Sequence, residues 1–113
     1  MKITSTQQDG VCLISISGSI DSSSSTEAGK FLDEQIAKGD VRLVADLSQV
    51  NYMSSSGLRV LVSTLKSVRQ HHGDLYLAGL QENIHQLLEL AGFTSIFKIY
   101  TTAEEAVAAF EKS

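Results

Sequence analysis

Cysteine and basic residues are scarce in this chain, and long apolar runs are missing. Of 113 residues, one is cysteine and nine are lysine or arginine, against thirteen aspartates and glutamates, for a formal net charge of −4. The lone Cys12 lies in the apolar run Val11, Cys12, Leu13, Ile14. It excludes an intramolecular disulfide and reads as a small core residue, compatible with a reducing cytoplasm. Nine cations spread along the sequence make no electrostatic footprint for DNA or RNA, so no direct nucleic-acid binding is expected. No apolar stretch approaches the roughly 18 residues of a membrane-spanning helix, and the opening MKITSTQQDGV has no signal-peptide core. The expectation is a cytoplasmic protein with no membrane insertion.

Motifs for chemistry are missing too. Tyr52-Met53-Ser54-Ser55-Ser56-Gly57-Leu58 sets serines on a strand-to-helix turn but lacks Gly-x-Ser-x-Gly, and no histidine stands as the base of a triad. Neither a Gly-x-x-x-x-Gly-Lys-Ser/Thr loop nor a Gly-x-Gly-x-x-Gly fingerprint occurs. His71 and His72 are adjacent at a helix end, with no cysteine or carboxylate at ligand spacing, and suit the last helical carbonyls better than a metal. No catalytic residue, metal or cofactor is expected, and the chain does not read as an enzyme.

What is present is enough apolar material, 42% of residues, for one domain over 1–113 with a core of its own. Gly10 divides two β-like segments, about 2–7 and 11–17, which predict a hairpin. Ser24-Ser-Thr-Glu27 has capping-box spacing ahead of Ala28, Phe31, Leu32, Gln35 and Ile36, predicting a helix over 24–37 that Lys38-Gly39-Asp40 stops. Val41 to Leu47 is a β-branched apolar run suited to a central strand buried on both faces. Leu58, Leu61, Val62, Leu65 and Val68 share one face of the next helix, which His71-His72-Gly73 ends. Leu75 to Ala78 predicts a strand, and Ile84, Leu87, Leu88 and Ala91 predict a helix closed by Gly92. Ile96 to Tyr100 suits a short edge strand. Thr101 and Thr102, each three residues ahead of a glutamate, open a last helix carrying Ala106, Val107 and Phe110. The order ββαβαβαβα predicts an α/β fold with a mixed four- to five-stranded sheet and about four helices, parallel where helices separate the strands.

In such a sheet functional loops gather at the carboxyl ends of the strands, where 18–25 and 48–57 both lie, and they are expected to form one surface. Serines ahead of a helix ordinarily serve as N-caps, and Ser22 to Ser25 read as loop and cap chemistry. At the second helix the run Ser54-Ser55-Ser56-Gly57 presents hydroxyls to a helix N-terminus, whose N–H groups and macrodipole favour an added phosphate. Tyr52 and Met53 read as apolar anchors of this loop, and Gly57 as permitting close backbone approach.

Gly18-Ser-Ile-Asp21, Asp46-Leu-Ser-x-Val-x-Tyr-Met-x-Ser-Ser-Gly-Leu58, Leu87-Leu-Glu-Leu-Ala-Gly-Phe93 and Glu105-Ala106 together resemble the bacterial anti-sigma factor antagonists of the STAS domain family. The resemblance implies one STAS domain whose phosphoacceptor is Ser55, with Ser54 or Ser56 in its place if the loop register differs by one. It implies a partner that is both anti-sigma factor and serine kinase, bound by the unphosphorylated form so that sigma factor is freed. A metal-dependent serine phosphatase would reverse the modification. The implied docking set is Asp21, Ser22, Ser23, Ser24, Ser54, Ser55, Ser56, Gly57 and Arg59. One departure is Ser54, where the family usually carries aspartate. The loss of that charge favours the alternative of a non-phosphorylated STAS scaffold subunit in a transport or signalling complex.

Overall fold

The computed structural model describes residues 1–111, and its sheet starts from a two-residue turn. Asp9 and Gly10 both take positive φ, 54° and 80°. That geometry matches the right-handed twist of the strands it joins and suits an Asp-Gly pair. The strands are β1, Lys2–Gln8, and β2, Val11–Ile20, paired antiparallel without interruption. After them come α1 (Ser24–Ala37), β3 (Arg42–Met53), α2 (Ser55–Gln70), β4 (Asp74–Ala78), α3 (Glu82–Leu90), β5 (Lys98–Tyr100) and α4 (Ala103–Glu111). The sheet runs β1-β2-β3-β4-β5, and every pair after the hairpin is parallel. The mixed five-stranded sheet and four helices follow the expected order.

Period-two alternation divides the core. On one face Ile14, Leu43, Ala45 and Leu75 pack with Leu32 of α1, Leu61 and Leu65 of α2, and Ile84 and Leu88 of α3. On the other, Val11, Val44 and Tyr76 pack against Ala106, Val107 and Phe110 of α4, where the rings of Tyr76 and Phe110 stack at 3.9 Å. β3 is therefore buried on both faces over Leu43–Ala45. Cys12 is a core residue as expected. Burial, reinforced by Asp40, pushes its thiol up to about 11, which leaves it a protonated, inert side chain.

Two expectations need correction. The 48–57 segment was expected to be loop, but β3 continues to Met53 and β2 to Ile20, so only the last residues turn. The cause is bulging. Between Ser15↔Asp46 and Ser17↔Gln49, and again between Gly18↔Val50 and Ser19↔Tyr52, β3 advances one residue more than β2. Buried positions then fall at Leu47, Val50 and Met53, every third residue, and the alternation that marks a strand is lost. The second correction concerns the start of α1. Ser24 and Glu27 form no capping box; the reciprocal pair is Asp21 and Ser24.

The C-terminus of α2 carries an unusual residue choice. Gly73 N–H reaches Val68 C=O at 2.8 Å and His72 N–H reaches Arg69 C=O at 3.3 Å, a Schellman ending whose left-handed position, normally glycine, is His72 at φ 64°. Glycine stands one residue later for a different reason: a Cβ on Gly73 would collide with the Val41 carbonyl. Adjacent substitutions should therefore act with opposite sign. His72→Gly is expected to stabilise the fold by about 0.5–1 kcal/mol by relieving left-handed strain. Gly73→Ala should destabilise it by about 3 kcal/mol or more, since backbone has to move. Urea denaturation midpoints of the two variants check both.

Candidate functional site

β2 and β3 end together, with Ile20 opposite Met53 at the last rung of their ladder. Each strand then turns into a helix, so the N-termini of α1 and α2 lie side by side beyond the carboxyl ends of two adjacent parallel strands. Ser54 N–H donates to Ile20 C=O at 2.8 Å and joins the two turns. Gly57 lets α2 come this near. A Cβ there would stand 2.8 Å from Ile20 Cγ2, 3.0 Å from Met53 Cγ and 3.2 Å from the Ile20 carbonyl oxygen. Of the 18–25 and 48–57 segments expected to share a surface, 18–20 and 48–53 are strand, and the turns that follow them are joined at Ser54 and Ile20.

Asp21 organises the α1 side. Its Oδ1 accepts from Ser23 N–H (3.0 Å), Ser24 N–H (2.8 Å) and Ser23 Oγ (2.7 Å). Its own N–H donates to Ser24 Oγ at 2.9 Å, and its carbonyl takes the Ser25 N–H at 2.9 Å. Asp21 and Ser24 thus bond reciprocally in the manner of a capping box placed just ahead of α1, whose first residue is Ser24 and whose N-cap position, Ser23, makes no side-chain cap bond. Ser24 Oγ also lies 3.0 Å from both Ser19 O and Asp21 Oδ1, so its single proton serves one of these at a time. Donation from Ser24 N–H, then from the Ser23 and Ser24 hydroxyls, lowers the Asp21 carboxyl to about 2. Ser22 and Ser23 are exposed beside it.

Ser54 organises the α2 side. Its backbone is extended and its Oγ accepts from Gly57 N–H at 3.2 Å, the ordinary N-cap bond. Ser55, in the first helical position, is exposed, whereas Ser54 and Ser56 are half-buried. The N–H groups of Ser55 and Ser56 take no partner among the described residues. Arg59 is exposed one turn further on, at the i+4 spacing that puts it on the Ser55 face. The other helices carry glutamate in their first turns: Glu27, Glu82, and Glu104 with Glu105. α2 has no acid there. Its positive end is uncompensated, and an anion on Ser55 would fill that role.

Three side chains that the sequence reading passed over fix the upper part of β3. β4 pairs with β3 only as far as Asp46, leaving the rest of that edge without a strand. Amides replace it: Gln81 Nε2 donates to Ser48 O at 3.1 Å and Asn83 Nδ2 to Asn51 O at 3.0 Å. On the β2 side Ser19 Oγ donates to Asn51 Oδ1 at 3.1 Å. Met53 is buried as an anchor, but Tyr52, expected to be one as well, is 52% exposed. Among the described residues no group of three or more His, Cys, Asp or Glu is placed to hold a metal, and no helix is long and apolar enough to cross a membrane.

Because the bonds to Asp21 exist only in the folded chain, its depressed carboxyl links folding to pH. The group supports the fold fully above its unfolded value near 3.8 and loses that support as pH falls through about 2. An NMR titration of the side-chain carboxyl should give a midpoint near 2, and Asp21→Asn should remove this part of the acid dependence. Gly57→Ala is expected to cost about 1–2 kcal/mol, overpacking against Ile20 outweighing the gain in helix propensity. Chemical denaturation measures it.

The arrangement has counterparts among known proteins. BtrV of Bordetella bronchiseptica is 36% identical over 111 residues, 98% of this chain and 96% of that protein. The anti-sigma-B factor antagonist of Listeria monocytogenes is 35% identical over 86 residues, 76% of this chain and 75% of that one. The crystal structure of an anti-sigma factor antagonist from Mycobacterium paratuberculosis superposes with a TM-score of 0.88 at 26% identity, over 96% of this chain and 92% of that one. Residues 2–106 match the family model of the STAS domain. With nearly its whole length accounted for in this way, the chain belongs to the STAS domain family.

Proposed function

We propose that this protein is an anti-sigma factor antagonist that acts by partner switching and carries its phosphoacceptor at Ser55. The observation that carries the reading is the exposed Ser55 hydroxyl at the uncompensated N-terminus of α2, joined through the Ser54–Ile20 bond to the Asp21-capped start of α1. The names of the Listeria and Mycobacterium relatives support the antagonist role. In this reading the unphosphorylated protein binds an anti-sigma factor that is also a serine kinase and frees sigma factor. Phosphorylation ends the complex, and a metal-dependent serine phosphatase restores it.

Elementary electrostatics accounts for a switch without a large conformational change. A phosphate adds about −1.5 to −2 charge. On the free protein the added charge meets the positive end of α2 and is worth about 0.3–1 kcal/mol in its favour. In the complex the same charge faces a partner surface shaped for a neutral hydroxyl. An unpaired charge buried there costs several kcal/mol, on the order of thousandfold in affinity. Fold stability and partner affinity therefore respond in opposite directions. Ser54 retains the helix cap that aspartate would provide, since the two residues cap about equally well, and only the charge is lost.

Incubation with the anti-sigma kinase and ATP, followed by site-resolved mass spectrometry, should place phosphate on Ser55. Titration calorimetry with the same partner should give Ser55→Ala the affinity of the wild type and Ser55→Glu an affinity at least about tenfold lower. Equal affinities for the two variants, with no phosphate incorporated, would instead be the behaviour of a STAS scaffold subunit.

A further inference from the structure

Tyr52 stands out on this surface. It is one of two large hydrophobic residues exposed among those described, and the other, Leu90, lies at the far end of α3. An exposed aromatic at the end of a strand calls for an explanation when its neighbours Val50 and Met53 are buried. The second bulge in β3 supplies the mechanical cause. In a regular strand Tyr52 would share the face of Val50 and enter the core. The extra residue, Asn51, shifts the pairing so that Tyr52 lies opposite Ser19 instead, and the ring turns outward.

The ring is also held there. The residue just before it is held at two points, its backbone by Asn83 Nδ2 on Asn51 O and its side chain by Ser19 Oγ on Asn51 Oδ1. An element placed only to solubilise the strand end would need neither a bulge nor a support of this kind. Along its own strand the exposed residues just ahead of Tyr52, Ser48, Gln49 and Asn51, are polar and uncharged, and the exposed Ser55 follows three residues on. An exposed aromatic on a strand segment whose other exposed residues carry no charge matches the aromatic enrichment and charge depletion of interface cores.

We infer that Tyr52 anchors the partner on this surface, its ring entering an apolar pocket of the anti-sigma factor. The inference rests on the antagonist reading above and adds the residue that provides affinity, as distinct from Ser55, which switches it. Tyrosine suits the role. It offers a large contact area while giving up only two side-chain torsions, and the bulge has already fixed its backbone.

The test is titration calorimetry of the full chain against a purified anti-sigma factor of the same organism, comparing wild type, Tyr52→Ala, Tyr52→Phe and, as a control away from this surface, Leu90→Ala. Thermal melts establish that the half-exposed ring can be removed with the fold intact. Tyr52→Ala is expected to weaken binding roughly 30-fold or more, with Tyr52→Phe and the remote Leu90→Ala within roughly threefold of the wild type. A complex that forms equally well with Tyr52→Ala overturns the anchor and leaves the antagonist reading standing. Loss of binding in Tyr52→Phe as large as in Tyr52→Ala overturns the apolar pocket, because the hydroxyl would then carry the contact. No complex with the wild type overturns both readings.

Discussion

The close approach of α2 to the end of β2 is the constraint on which the candidate site depends. One backbone bond, Ser54 N–H to Ile20 C=O at 2.8 Å, and one missing side chain, at Gly57, bring the two strand-to-helix turns into a single surface. Without that approach Asp21 would cap one helix and Ser55 would begin another, with nothing to make them one site. The sheet beneath makes the bond possible, because β2 and β3 are parallel neighbours and deliver their carboxyl ends to the same level.

The two helices meet the problem of their orphan N–H groups in different ways. α1 is preceded by an anionic residue, Asp21, whose carboxylate accepts from the Ser23 and Ser24 N–H groups and the Ser23 hydroxyl, while the Ser24 hydroxyl is shared between it and Ser19 O. α2 begins with a neutral cap, Ser54, and has no acid in its first turn. Two carboxylates side by side would repel each other. With the neutral cap the second helix end keeps its positive field.

The support of upper β3 shows how such a surface keeps its shape. Once β4 has ended, the outer edge of β3 would be bare backbone, and Gln81 and Asn83 supply amide donors in place of a strand. The donors come from the start of α3, so three consecutive strand–helix connections converge on one end of the sheet. Bulges would leave an unsupported edge loose; here they set the direction of Tyr52 without loosening the strand.

Much of this was legible in the residues. The hairpin, the bounds of α1, the both-face burial of β3 and the last helix follow from alternation, caps and turn residues, which act between positions close in the chain. The run Ser54-Ser55-Ser56-Gly57 marked a helix start with exposed hydroxyls for the same reason. The continuation of β3 to Met53 was not legible, because two bulges set a three-residue burial period that matches no strand pattern. The Asp21–Ser24 box was read three residues too late, since Ser24-Ser-Thr-Glu27 fits the spacing equally well and only the end of β2 decides between them. The aromatic character of Tyr52 by itself points to a buried anchor, while its direction depends on pairing with Ser19, 33 positions away. Local chemistry thus determined the elements and the helix starts. The tertiary structure alone decided which helix starts share a surface and which way its one aromatic faces, because register between distant strands is not a property of any single segment.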